Sequence, residues 1–279
     1  MRLFLGICFL ILHTACSFAQ LLYPIVGTYN GYGAQGMAIY GDEAYLMSDG
    51  GFCRVYDLIQ RKVVKEFSLA SSAKNNHVNN ACFGSDLYGD NNLPLVYISE
   101  CNNLFRCFVE KIESRSCKLV QTIEKRQHGK VEVVIVWVVD ARNKSLYSVT
   151  RTGTVIDEKG NCVCSIKRYD LPSINERSLI ILTENDVIEQ FDVIFPNILQ
   201  GCKIRGRYMY LLTGFQQSLS GRKDAVRSLK IIDLKKKCLA KEIDLTYVTT
   251  NEPEDIDFYK GQCLMYCGQE GGLYSIPFK

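Results

Sequence analysis

The chain has 279 residues, 47% of them hydrophobic, enough to bury the core of one large domain. Its 33 basic and 30 acidic residues give a formal charge of +3, which excludes the strongly basic footprint that nucleic acid or an anionic membrane surface demands. The basic runs KRQHGK (125–130) and Lys235 to Lys237 fall at turn-like places and read as solvated loops.

The chain opens with MRLFLGICFLILHTACSFAQ: a basic Arg2, an apolar run from Leu3 to Leu12, and a small-residue exit Ser17-Phe18-Ala19 before Gln20. This pattern predicts a secretory signal over residues 1–19 and a mature domain over 20–279, exported to the periplasm or the cell exterior. A lipoprotein acylated at Cys16 fits less well, because His13 stands where an aliphatic residue belongs. Cleavage removes Arg2 and leaves 32 basic against 30 acidic residues, a charge of +2. No later run approaches the ~20 apolar residues of a membrane helix. The longest, Val131 to Val139, is interrupted by Glu132 and is β-branched, so it reads as a buried strand and not as a membrane insertion.

Two stretches then repeat without a gap. QGMAIYGDEAY (35–45) aligns with QGCKIRGRYMY (200–210), and VYDLIQRKVVKEFSL (55–69) aligns with IIDLKKKCLAKEIDL (231–245). A unit that opens on Gln-Gly and closes on a Lys-Glu strand therefore recurs, which marks a repeat architecture. Openings at Gln35, Asn79, Val133, Gln200 and Glu254 give five units, each with short strands in the four-per-blade manner of a β-propeller. The predicted fold is all-β: a single five-bladed propeller. The last unit is one strand short, and Leu21 to Tyr29 is a strand-like segment left over, so the N-terminus is expected to close the ring. Residues 172–199 exceed what unit three needs. They form either an inter-blade excursion with a helical turn near Glu184 to Gln190, or the remnant of a sixth blade.

The segments HVNNACFG, LPLVYISE and ILTENDVIEQF before QGCKI resemble exported, uncharacterised β-propeller proteins of Bacteroidetes. More distantly, the Gln-Gly, His-Asn and acidic openings resemble five-bladed propellers of phage receptor-binding and wall-sugar-associated proteins. The resemblance implies fold and export, and brings no established chemistry.

Inner strands of a propeller converge on a central channel, so the polar residues that open them are the candidate ligand-binding set: Gln35, Asn79, Asn80, Gln200, Glu254 and Asp255, with His77 just upstream. The competing reading has the same groups bonding to neighbouring inner-strand backbones. No G-x-S-x-G, Walker or G-x-G-x-x-G motif occurs, so no catalytic residue is assigned. A glycosidase would need a partner for Glu254, such as Glu100 or Asp140. The expected role is binding or scaffolding by a monomer without cofactor, with a glycan or another envelope protein as partner. The alternative is a hydrolase or lactonase holding Ca²⁺ on Asn79, Asn80, Glu254 and Asp255. Zinc is disfavoured by the lack of any C-x₂-C and by a mature chain with only His77 and His128. Most of the cysteines read as small buried hydrophobes; Cys101 and Cys107, flanking a tight turn, form the one plausible disulfide. Trp137, inside an apolar strand, reads as core.

Overall fold

The computed structural model describes residues 20–23, 33–73, 75–89, 92–175, 177–216, 222–268 and 272–277. The predicted leader, Cys16, and residues 24–29 of the leftover segment lie outside the described residues. The chain forms a five-bladed β-propeller of antiparallel sheets.

Strand β1 (Gln20–Tyr23) belongs to the last blade. Blade one is β2 (Ala34–Tyr40), β3 (Glu43–Ser48), β4 (Phe52–Asp57) and β5 (Lys62–Ser68). Blade two is β6 (Val78–Leu87), β7 (Pro94–Glu100), β8 (Cys107–Ile112) and β9 (Cys117–Gln127), with the two-residue β10 (Lys130–Val131) on its edge. Blade three takes β11 (Val136–Asp140), β12 (Ser145–Val155) and β13 (Cys162–Asp170); the chain then makes β14 (Leu179–Leu182) before β15 (Glu189–Phe195) completes that blade. Blade four is β16 (Leu199–Arg205), β17 (Tyr208–Thr213), β18 (Ser228–Asp233) and β19 (Cys238–Asp244). Blade five is β20 (Pro253–Tyr259), β21 (Gln262–Cys267) and β22 (Leu273–Ile276), whose free edge pairs with β1.

The sequence repeat has a physical origin in the hairpins after the third strands of blades one and four. Asp57 Oδ1 accepts the amides of Ile59 and Gln60 at 2.8 and 2.7 Å, and Asp233 Oδ1 accepts those of Lys235 and Lys236 at 3.1 and 3.0 Å. An aspartate that captures its own turn amides fixes the reversal of direction. The Lys-Glu close recurs for a second reason. Glu66 pairs with Arg54 at 2.7 Å and Glu242 with Lys230 at 2.5 Å, the same cross-strand position in two blades. Apolar residues on the blade faces pack in clusters between successive blades, such as Tyr45 against Phe83, centroids 5.1 Å apart and T-shaped.

Three expectations change. Residues 172–199 are neither a sixth blade nor surplus, because β15 is the outer strand of blade three. On the way, β14 crosses to blade two and pairs parallel with β9, burying Ile180 and Leu182 while Leu179 and Ile181 face outward; a single 3₁₀ turn, Glu184–Asp186, follows. The inner strand of blade three starts at Val136 instead of near Val131, because Lys125 of blade two draws Glu132 to itself and Lys130–Val131 pair with β9. Cys101 and Cys107 are both free thiols. The turn between them is held by Glu100, whose two oxygens accept the amides of Asn102, Asn103, Leu104 and Phe105 at 2.6–2.9 Å.

Candidate functional site

The five inner strands are β2, β6, β11, β16 and β20, and three of the predicted site residues stitch them together. Asp255 on β20 accepts Met37 N of β2 at 2.7 Å and Ala81 N of β6 at 3.0 Å. Asn80 on β6 donates to Trp137 O of β11 at 2.8 Å and accepts Cys202 N of β16 at 2.9 Å. Asn79 donates to Ile135 O at 3.0 Å, on the approach to β11. Asp255 and Asn80 are fully buried, so the middle of the channel is closed by its own hydrogen bonds. Glycine follows Gln200 for the same reason: a Cβ on Gly201 would collide with the Asp255 carboxylate. At one end beyond this plug, Lys203 Nζ pairs with Asp257 Oδ2 at 2.7 Å.

The other end is a polar mouth. Antiparallel pairing sets the start of each first strand beside the end of the second, and this gathers residues that are distant in sequence. Gln35, His77, Gln200 and Glu254 arrive from strand starts; Asp49 and Cys101 arrive from the ends of β3 and β7, and Glu252 from the residues just before β20. With its nitrogen turned inward, the Gln35 amide donates to Glu254 Oε2 and to Val78 O, both at 3.2 Å. Gln200 Nε2 donates to Glu252 Oε1 at 2.7 Å and to Gly214 O at 2.9 Å. His77 Nδ1 lies 2.5 Å from Asp49 Oδ1, and the backbone N–H of Cys101 donates to His77 O at 3.1 Å. The His77 and Asp49 side chains keep 32% and 36% of their surface in solvent, so the mouth reaches the surface.

Its electrostatics are unbalanced. Burial pushes the Glu254 carboxyl well above the usual carboxylate range, and the neighbouring Glu252 pushes it further, against a smaller pull from His77. Burial raises Glu252 as well, while the Gln200 amide opposes the rise. Burial works against the charged imidazole of His77, but the pull of Asp49 and Cys101 outweighs it and pushes the ring up to about 11. Among the described residues, three carboxyl groups, Asp49, Glu252 and Glu254, therefore lie about one imidazolium.

Gln35, His77, Gln200 and Glu254 thus meet in one site, whereas Asn79, Asn80 and Asp255 serve the inter-blade network. Asp49, Cys101 and Glu252 escaped the sequence reading; the signal for the first two was their position directly after a second strand. Neither proposed glycosidase partner faces Glu254, since Glu100 holds its loop and Asp140 holds Asn143 through contacts of 3.2 and 2.7 Å. Trp137 is buried, its indole donating to Phe105 O at 3.0 Å. Among the described residues no group of three His, Cys, Asp or Glu side chains is arranged as a metal centre.

No protein-family model matches the chain, and no curated protein matches it. Among solved structures it is similar to the glutaminyl cyclase of Myxococcus xanthus, with a TM-score of 0.54 and 13% identity over 93% of this chain and 96% of that one. Raptor of Chaetomium thermophilum gives a TM-score of 0.45 and 10% identity, covering 90% of this chain and 28% of that one. At these identities the likeness to the cyclase is one of fold.

Proposed function

We propose that the protein is an exported binding module whose channel mouth takes a ligand bearing an ammonium group, such as an amino sugar or the amino terminus of an envelope peptide. The observation that carries this reading is that, among the described residues, three carboxyl groups, Asp49, Glu252 and Glu254, lie about one imidazolium, that of His77. An ammonium group supplies three N–H donors and the missing positive charge. Its arrival favours ionisation of Glu254, so binding releases a proton and tightens as pH rises. The Gln35 and Gln200 side chains add amide groups that orient a neutral part of the ligand. Export is compatible with the closing strand, which starts at Gln20; loss of residues 1–19 leaves every described strand intact.

Titration calorimetry tests the reading with glucosamine, a peptide that begins with glutamine (suggested by the cyclase of similar fold) and the N-acetylated form of each. Amines that bind while their acetylated forms do not, with affinity lost by at least about tenfold in Glu252→Gln, support it. Equal binding of acetylated and free amines overturns it in favour of a neutral glycan site. Thermal stabilisation by Ca²⁺ that EDTA reverses would favour the metal-dependent hydrolase.

A further inference from the structure

Arg227 is a buried cation that no carboxylate balances among the described residues. It stands just before β18, at the same end of the propeller as the mouth, and keeps 2% of its surface in solvent. Nη1 donates to Phe215 O at 3.1 Å, Nη2 reaches Thr246 O only at 3.5 Å, and Nε has no acceptor. A buried charge left without its partner is costly. Burial accordingly pulls Arg227 below the ordinary arginine value, against a smaller opposing pull from Asp244.

Blade two shows what blade four lacks. Arg106 holds the corresponding place, one residue before β8, and its Nε donates to Glu124 Oε2 at 2.8 Å. Glu124 lies one residue beyond the pair Cys107–Ile123; one residue beyond the matching pair Ser228–Asp244 stands the fully buried Leu245. The Nε edge that a carboxylate takes in blade two is therefore open in blade four. Arg227 also borders the mouth. Gln200 Nε2 donates both to Glu252 Oε1 and to Gly214 O, and a Cβ on Gly214 would stand 2.7 Å from Arg227 Cα. One amide side chain thus stands between a carboxyl group and a guanidinium.

We propose that Arg227 is an anion subsite of the mouth and that the ligand is a short zwitterionic peptide. Its amino terminus lies among Asp49, Glu252 and Glu254, and its carboxylate takes the Nε and Nη2 edge of Arg227, the side-on fork that fits two carboxylate oxygens. The carboxylate displaces the long Thr246 O contact. Thr246 and Tyr247 are exposed, so that side opens without disturbing the core. An α-amino acid carries both charges on one carbon and cannot reach across the Gln200 amide; a peptide can. The place of the amino end rests on the ammonium reading of the mouth, whereas the anion subsite rests on Arg227.

Calorimetry at neutral pH and low ionic strength, where charge pairing is least screened, tests this with 6-aminohexanoate, hexylamine, hexanoate and glycine. 6-Aminohexanoate is expected to bind at least about tenfold tighter than hexylamine and than glycine. Two variants are expected to bring its advantage over hexylamine close to nothing: Arg227→Gln removes the cation, and Leu245→Glu supplies internally the carboxylate that Arg106 already has. Wild type binding 6-aminohexanoate no tighter than hexylamine overturns the anion subsite, whatever the variants do. So does an advantage that survives in either folded variant, or the absence of binding by every probe. Glycine equal to 6-aminohexanoate overturns the peptide-length ligand. Hexanoate that binds through Arg227 while hexylamine does not bind supports the anion subsite and overturns the ammonium reading alone.

Discussion

Asp255 lies directly against Gly201: a methyl group at residue 201 would stand 2.2 Å from Asp255 Oδ1. The carboxylate cannot retreat, because Met37 N, Ala81 N and Ile256 N all bind it. Gly201→Ala is therefore expected to cost about 3 kcal/mol, the upper range for overpacking a filled core. Gly41→Ala, in an open turn at φ +59°, should cost about 1 kcal/mol from backbone strain alone. Urea denaturation of the two variants checks the order, and equal costs would show that the axis yields.

Glu254 gives stability a pH signature. Its carboxyl is raised in the fold, so its contribution is complete below the unfolded value of 4.5 and is lost as pH climbs through the folded value. His77 is raised as well, from 6.5 to about 11, so its contribution fades only above pH 6.5. Between those two thresholds the difference between wild type and Glu254→Gln isolates the glutamate. Melting temperatures are expected to fall more steeply with pH in the wild type than in the variant; parallel curves refute the raised carboxyl.

Closing the ring through β1 makes a further claim. Tyr23 is buried and packs edge-on against Tyr56, centroids 6.0 Å apart. A chain starting at Gly33 loses this side chain, worth about 2–3 kcal/mol, and exposes the edge of β22. Its melting temperature is expected to drop by roughly 5–10 °C relative to a chain starting at Gln20. A drop within a couple of degrees would show that β1 is dispensable.

Glu100 organises the loop beside Cys101 with four amide bonds, so Glu100→Gln replaces two acceptor oxygens by one. The expected cost is about 2–3 kcal/mol, with faster amide exchange confined to residues 101–106. Exchange that accelerates throughout blade two would instead assign Glu100 to the blade core.

Blades one and four were legible because they carry the same local marks: Gln-Gly where a neighbouring strand presses close, an aspartate at the third-strand hairpin, and a Lys-Glu outer strand; the other blades followed from their spacing. Blade three hid its outer strand because β15 stands behind the β14 excursion to blade two, which sequence order alone does not place. The site was half legible for a similar reason. Strand starts such as Gln35 and Glu254 announce themselves at unit boundaries, while Asp49 and Cys101 join them only through the antiparallel return of β3 and β7. Asn79, Asn80 and Asp255 sit at equally suggestive places, and only their bonding partners reveal that they are structural.

The crossing of β14 onto blade two also governs how the molecule comes apart. Blades two and three share a strand-paired strap, reinforced by Lys125 bridging Glu132 and Glu184 and by Gln121 binding Ser173 O and Arg177 O. Neither blade can open without tearing the other. At blade five the sequence-distant β1 and β22 meet along one short edge of three residue pairs, with a shift of register between Leu21 and Tyr23. Tension applied to the two termini loads that seam first and leaves the strapped pair for last, so mechanical unfolding should begin with one small event and end with a large one.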